Sequence, residues 1–180
     1  MARLKLATVW LAGCSGCHMS FLDLDEWLID LAGQVDIVYT PLADFKIYPE
    51  GVDVVLVEGA VANEENLHMI RQVRQRTRLL ISFGDCAVTG NVTALRNLAG
   101  GPEEALRRSY LELADQVPQI PAERGILPRL LERVQPVHAA VPVDVYLPGC
   151  PPPADRIRKV LEEVIAQGTA HLEGKDLKFG

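Results

Sequence analysis

The sequence VDVVLV at residues 52–57 is the most apolar strand-like stretch of the chain. It is followed by a helix-like segment, EENLHMIRQVRQR at residues 64–76, and by a second apolar stretch, LLISF at residues 79–83. A strand this apolar is covered on both faces, which is typical of parallel sheets. Strand, helix and strand in this order predict two parallel strands joined by a crossover helix.

The same alternation continues on both sides of this unit. The further predicted elements are strands at residues 5–11, 35–39 and 143–147, a helix at about residues 20–31, and a last helix from Pro153 to Gly168. Ser20 is the predicted N-cap of the helix at 20–31. Five strands alternating with helices predict an α/β fold with a flavodoxin-like, doubly wound parallel sheet.

The alternation fails between residues 100 and 142. Helix-like patches at 103–114 and 126–134 are interrupted by prolines there. A long irregular insertion of this kind is usually functional, as a lid or a binding surface. No linker is evident, so we expect a single domain over residues 1–180 with an irregular insertion at about 100–142.

Composition excludes several classes of protein. The chain has 180 residues, of which 48% are hydrophobic and 23% charged, and its formal net charge is −6. An acidic chain without a Lys/Arg cluster is a poor nucleic-acid binder. No stretch approaches the ~18–20 apolar residues that span a bilayer. We therefore expect neither a nucleic-acid partner nor a membrane partner.

The first residues, MARLKLATVWLAGC, have the basic start and the Leu-Ala-Gly-Cys of a bacterial lipoprotein signal. The segment before Cys14 is shorter than the usual ~15–30 residues of a secretory signal. A second cysteine, Cys17, follows in the same glycine-rich turn. We expect a cytoplasmic location, where cysteines usually serve metals or redox chemistry.

Four cysteines follow three of the predicted strands. Cys14 and Cys17 come after the first strand, Cys86 after the fourth and Cys150 after the fifth. Loops that follow parallel strands emerge at one edge of the sheet. The four thiols should therefore converge although they are distant in sequence.

The neighbours of these cysteines are compatible with a metal cluster. Glycine precedes three of them, and its exposed N–H groups suit hydrogen bonds to cluster sulfurs. Cysteine followed by proline, as at Cys150, recurs in ferredoxin-type ligation. Four thiolates also suit zinc, and Cys14 with Cys17 could form a redox dithiol. Small buried cysteines that only fill space are the remaining alternative.

Four ordered motifs resemble the small subunit of nickel–iron hydrogenases. They are Gly13-Cys14-Ser15-Gly16-Cys17, Val57-Glu58-Gly59-Ala60-Val61, Gly84-Asp85-Cys86-Ala87-Val88-Thr89-Gly90 and Pro148-Gly149-Cys150-Pro151-Pro152. The resemblance implies one 4Fe–4S cluster bound by Cys14, Cys17, Cys86 and Cys150. It also implies that the nickel–iron centre lies on a separate large subunit, so no catalytic residue is expected on this chain.

The segment from Cys17 to Asp23 is similar to the small (delta) subunit of soluble, bidirectional NAD-reducing hydrogenases. This resemblance implies an oxidoreductase subunit, part of a hydrogen:NAD oxidoreductase. It would relay electrons between the nickel–iron large subunit and flavin/iron–sulfur diaphorase subunits that carry FMN and bind NAD. The chain has no cysteines for further clusters, as expected of the compact form of this subunit. Met19 stands where many hydrogenases carry a glutamate, so a proton route through that carboxylate is not expected here.

Two other assignments remain open from the sequence. One is the cluster-bearing subunit of another hydrogenase or of an NADH:quinone oxidoreductase-like complex, although that last family has adjacent cysteines in its first motif. The other is a flavin-binding flavodoxin-like module, although no Ser/Thr-rich phosphate loop follows the first strand.

Three polar residues beside the cysteines have more than one interpretation. Glu58 either accepts hydrogen bonds from loop N–H groups or serves a partner interface or proton path. His18 either donates to a cluster sulfur, faces the large subunit or packs as an ordinary histidine. Asp85 is expected to brace its turn. Trp10 is predicted to lie in the core.

Overall fold

The computed structural model describes residues 3–123 and 125–179 and forms an α/β sandwich around one five-stranded parallel sheet. The sheet strands are β1 (Leu4–Trp10), β2 (Val35–Tyr39), β3 (Val52–Glu58), β5 (Thr77–Phe83) and β7 (Val145–Leu147). Their order is β2-β1-β3-β5-β7, and every pairing is parallel. This is the flavodoxin-like order, so the predicted fold class is confirmed.

Helices cover both faces of the sheet. They are α1 (Gly16–Leu22), α2 (Trp27–Gln34), α3 (Glu64–Arg76), α4 (Asp85–Thr89), α5 (Pro102–Arg107), α6 (Val137–Ala140) and α7 (Ala154–Gln167). One core cluster joins Leu56 to α1, α2 and α7, and a second joins Val57 to α3 and α6. Side chains alternate between the faces of a strand, so neighbouring residues of β3 enter different cores.

The predicted helix at 20–31 is wrong in its bounds. The chain forms α1 and α2 instead, separated by a turn in which Asp25 has a positive φ of 50°. Aspartate tolerates this conformation better than most residues, which explains why the helix breaks here. Ser20 is not an N-cap but a buried residue inside α1.

The insertion at 100–142 is more regular than the sequence indicates. The patch at 126–134 is not helical, because Leu130–Gln135 forms strand β6, antiparallel to the short strand β4 (Val61–Asn63). A 3-10 helix, Asn91–Leu98, precedes the insertion, and α5 continues into a π-helical turn, Arg108–Glu112. The partner of β6 is distant in sequence, so local periodicity could not identify this strand.

The last helix ends as predicted, with Gly168 in the left-handed conformation at its C-cap. Across the part of the chain that the structure describes, no helix has the length and apolar character needed to cross a bilayer.

Candidate metal centre

The four cysteines meet at the carboxyl edge of the sheet. Cys14 follows β1, Cys17 lies in the first turn of α1, Cys86 lies in α4 directly after β5, and Cys150 follows β7. All four line one cavity of about 60 Å³, together with Glu58, Asp85 and parts of the three loops. The convergence expected from the strand positions is therefore present.

The turn between β1 and α1 holds the first two cysteines. Ser15 has a positive φ of 65°, so the chain reverses sharply between Cys14 and Cys17. A Cβ atom on Gly16 would lie 3.3 Å from Cys14 Sγ, which is tighter than most such contacts. The glycine therefore lets the backbone pass close to the first thiol.

The loops after β5 and β7 are joined by hydrogen bonds. The Gly84 amide donates to Leu147 O at 2.8 Å, and the Asp85 amide donates to Gly149 O at 2.8 Å. In return, the Gly149 amide donates to Asp85 Oδ1 at 2.6 Å. Asp85 thus braces the two turns, as predicted, and fixes Cys86 relative to Cys150.

Gly84 lies against the sulfur of Cys17. A Cβ atom at this position would be only 2.2 Å from Cys17 Sγ. The backbone there has φ 84° and ψ 162°, a region adopted almost only by glycine. The turn after β5 therefore requires glycine both for its conformation and for the approach of the thiol.

Burial divides the cysteines into two pairs. Cys17 and Cys86 are buried, whereas Cys14 and Cys150 are exposed, and none forms a disulfide. Burial raises the pKa of the Cys17 thiol, and the charges of Glu58 and of the other three cysteines raise it further. Burial also raises the pKa of Cys86. These two thiols stay protonated at neutral pH, so a metal that binds them must displace their protons.

Behind the cavity lies a buried polar chain. Glu58 and His18 are 2% and 1% exposed, and the Glu58 carboxylate contacts His18 Nδ1. The carboxylate also accepts hydrogen bonds from the backbone N–H groups of His18, at 2.9 Å, and of Cys17, at 3.4 Å. His18 Nε2 lies 3.1 Å from Thr8 Oγ1, which donates to Thr40 Oγ1 at 2.8 Å.

This chain of contacts agrees with one interpretation of Glu58 and one of His18. Glu58 accepts hydrogen bonds from the N–H groups of α1, as one interpretation held. His18 packs against Phe83 and bonds to Glu58 and Thr8 within the core. A buried carboxylate is tolerated when its hydrogen bonds are satisfied in this way.

The side chain at the end of β1 differs from its prediction. Trp10 is 47% exposed rather than part of the core. The indole nitrogen is 3.7 Å from the position that a Cβ atom on Gly13 would occupy, beside the first cysteine turn. β1 ends at Trp10, so this side chain lies at the carboxyl edge of the sheet.

Sequence reasoning missed the 3-10 helix Asn91–Leu98 as part of the site. The Asn91 side-chain amide donates to Cys150 Sγ at 3.4 Å. Hydrogen bonds from the hydroxyl and backbone of Thr93 oppose the rise in the Cys86 pKa. The only signal in the sequence was the turn-forming pair Gly90-Asn91.

The donor set fits an iron–sulfur cluster. Within residues 3–123 and 125–179, no three His, Cys, Asp or Glu side chains are placed to share one metal ion. The four thiols line one cavity, which is compatible with ligands of a cluster. Sulfur-only ligation selects soft metals such as those of iron–sulfur clusters.

Comparison with known proteins identifies the family. Residues 14–164 match the family described as NADH ubiquinone oxidoreductase, 20 kDa subunit, and the chain belongs to this family. The match begins at Cys14 and includes all four cysteines.

Two similar curated proteins are hydrogenase subunits. The chain is 39% identical to the delta subunit of the NAD-reducing hydrogenase HoxS of Cupriavidus necator, over 91% of this chain and 79% of that protein. It is 41% identical to a subunit of the F420-non-reducing hydrogenase vhu of Methanocaldococcus jannaschii, over 82% of this chain and 51% of that protein. The chain thus spans about half the length of the archaeal relative.

A solved structure agrees with these relatives. A chain of a NAD⁺-reducing nickel–iron hydrogenase in the H₂-reduced state superposes with a TM-score of 0.92 and 38% identity, covering 99% of this chain and 100% of that chain. A nickel–iron–selenium hydrogenase of Dm. baculatum shares the fold at 16% identity, with a TM-score of 0.59 over 98% of this chain and 69% of that one. The resemblance to hydrogenase small subunits is confirmed, and the chain is an oxidoreductase subunit of this type.

Proposed function

We propose that this chain is the electron-transfer subunit of a nickel–iron hydrogenase that reacts with NAD. It would hold one 4Fe–4S cluster through Cys14, Cys17, Cys86 and Cys150. When bound, such a cluster accepts and returns one electron at a time. The observation that carries the proposal is the meeting of these four thiols around one cavity in a chain similar to hydrogenase subunits.

The residues around the thiols have distinct tasks in this proposal. Gly84 lets the loop after β5 approach Cys17, Gly149 lets the loop after β7 turn tightly against Pro152, and Asp85 joins the two loops. Glu58 holds the first turn of α1, which carries Cys17. Because the chain is similar to a delta subunit of a nickel–iron hydrogenase, we place the nickel–iron centre on a separate large subunit.

The outward side of the site would meet partner subunits. Cys14 and Cys150 are exposed there, and the exposed side chain of Trp10 lies beside Gly13 of the first cysteine turn. Aromatic side chains are enriched at protein interfaces. We assign this edge, together with the insertion at 100–142, to the large subunit.

Flavin/iron–sulfur diaphorase subunits that carry FMN and bind NAD would take the electrons onward. The cytoplasmic location and the single domain over residues 1–180 stay predictions from the sequence.

The test is Cys86→Ser in the complex purified anaerobically with its partner subunits. Serine is a harder and poorer ligand for iron in a sulfide cluster. We expect the loss of about four iron and four labile sulfide per copy of this chain, and of hydrogen-driven NAD reduction. The infrared bands of the nickel–iron site and the NADH oxidation with an artificial dye should be retained.

Three results would overturn the proposal. Zinc in place of iron in the wild-type chain would reject the cluster. Hydrogen-driven NAD reduction near the wild-type rate in Cys86→Ser would reject the four-thiolate site. Copurification with a quinone reductase instead of a hydrogenase large subunit would reject the hydrogenase assignment.

A further inference from the structure

Asn91 sits at a strained position beside the cysteine site. It is the first residue of the 3-10 helix Asn91–Leu98 and has a positive φ of 33°. Its side-chain amide donates to Cys150 Sγ at 3.4 Å. A non-glycine residue with positive φ is uncommon, and such strain tends to collect at functional sites. The conformation aims the amide at the exposed thiol of the β7 loop.

Thr93 anchors the same helix beside the first cysteine turn. Its hydroxyl donates to Ala12 O at 3.1 Å, directly before the turn that holds Cys14. This bond fixes the helix that carries Asn91 relative to the cysteine site.

We propose that Asn91 donates a hydrogen bond to the sulfur of Cys150 and thereby raises the reduction potential of the cluster. This inference rests on the cluster proposed above. Hydrogen bonds to ligand sulfurs stabilise the more negative, reduced state and so tune the potential. Asn91 acts on the side of the site that Cys150 exposes. It is a positioning residue for the electron transfer, since it meets no reacting substrate.

The test is the potential of the cluster in Asn91→Gly, measured by redox titration followed by electron paramagnetic resonance on the purified complex. Glycine removes the amide and accepts the positive φ. We expect the ratio of reduced to oxidised cluster at a fixed potential to fall about tenfold, which is about 59 mV for one electron. Asn91→Asp keeps the side-chain shape but replaces the donor by a negative charge, so its shift should be larger in the same direction.

The matched control is Leu98→Ser, at the other end of the same 3-10 helix, where the leucine is 85% exposed. Its cluster potential should equal that of the wild type. An unchanged potential in Asn91→Gly with a full cluster would reject the inference and leave the proposed function intact. Loss of the cluster in both Asn91 variants, with Leu98→Ser intact, would make Asn91 a structural residue and also reject the inference. A wild-type complex without iron and labile sulfide on this chain would reject both proposals.

Discussion

Replacing Gly84 by alanine tests how closely the loop after β5 is fitted to the cysteine site. The new Cβ atom would lie 2.2 Å from Cys17 Sγ. Ordinary contacts between non-bonded heavy atoms lie at about 3.5–4.0 Å. The sulfur or the loop must therefore move by roughly 1.5 Å. A metal–ligand distance tolerates only about ±0.2 Å, so we expect Gly84→Ala to lose Cys17 as a ligand.

Backbone strain must be separated from this displacement. Gly84 adopts φ 84° and ψ 162°, and alanine in this region costs about 1–3 kcal/mol. Gly101 adopts a closely similar conformation, φ 90° and ψ −166°, also directly before a helix. A Cβ atom on Gly101 would meet nothing nearer than Glu132 Oε1 at 3.5 Å, which is an ordinary contact. Gly101→Ala therefore reproduces the strain without touching a cysteine.

The assay is iron and acid-labile sulfide content of the anaerobically purified complex, together with thermal unfolding. Both variants should unfold at a lower temperature, by about 2–4 °C for each kcal/mol lost. Only Gly84→Ala should lose about four iron per copy of this chain. A full cluster in Gly84→Ala would refute the fit described here. Equal iron loss in Gly101→Ala would show that strain alone removes the cluster.

Two further substitutions test α1. Met19→Glu should keep the cluster and change the free energy of unfolding by less than about 0.5 kcal/mol, because Met19 is 48% exposed. Loss of iron in this variant would show that the Met19 side chain is packed in the complex. Ser20→Ala should lower the free energy of unfolding by about 1–3 kcal/mol, because the buried hydroxyl donates to Pro152 O at 2.6 Å and its loss leaves that carbonyl unpaired. The measurement is denaturant unfolding, and the control is Ser109→Ala at an exposed position. If both variants lower the free energy of unfolding by the same small amount, the role given to Ser20 is wrong.

The sequence predicted the sheet well because its strands are marked by local pattern. The bounds of β2 and α3 agree with the structure residue by residue. Burial on both faces makes such strands continuously apolar, and the crossover rule then leaves few topologies. The errors lie where tertiary contacts override local pattern. β6 forms because β4 offers it an edge, and the helix predicted at 20–31 divides at a turn with positive φ at Asp25.

The candidate site was partly predictable for a related reason. The strand positions alone indicated that Cys14, Cys86 and Cys150 would meet at one edge. They carried no information on side chains that reach the site from elsewhere. Asn91 approaches Cys150 from a separate 3-10 helix, and His18 of α1 turns inward to Glu58 of β3. Such contacts depend on distances between elements, which a sequence pattern does not contain.

The separation of the cysteines along the chain links cluster binding to folding. Cys17, Cys86 and Cys150 follow different strands, so an unfolded chain does not hold them together. A group that binds only the folded state raises the free energy of unfolding. The increase grows with the logarithm of the group's concentration divided by its dissociation constant. The proposed cluster would therefore stabilise the carboxyl edge of the sheet, in addition to the hydrogen bonds that join the loops after β5 and β7. The buried thiols Cys17 and Cys86 favour protonation without metal, so the edge gains this stabilisation only when metal displaces those protons.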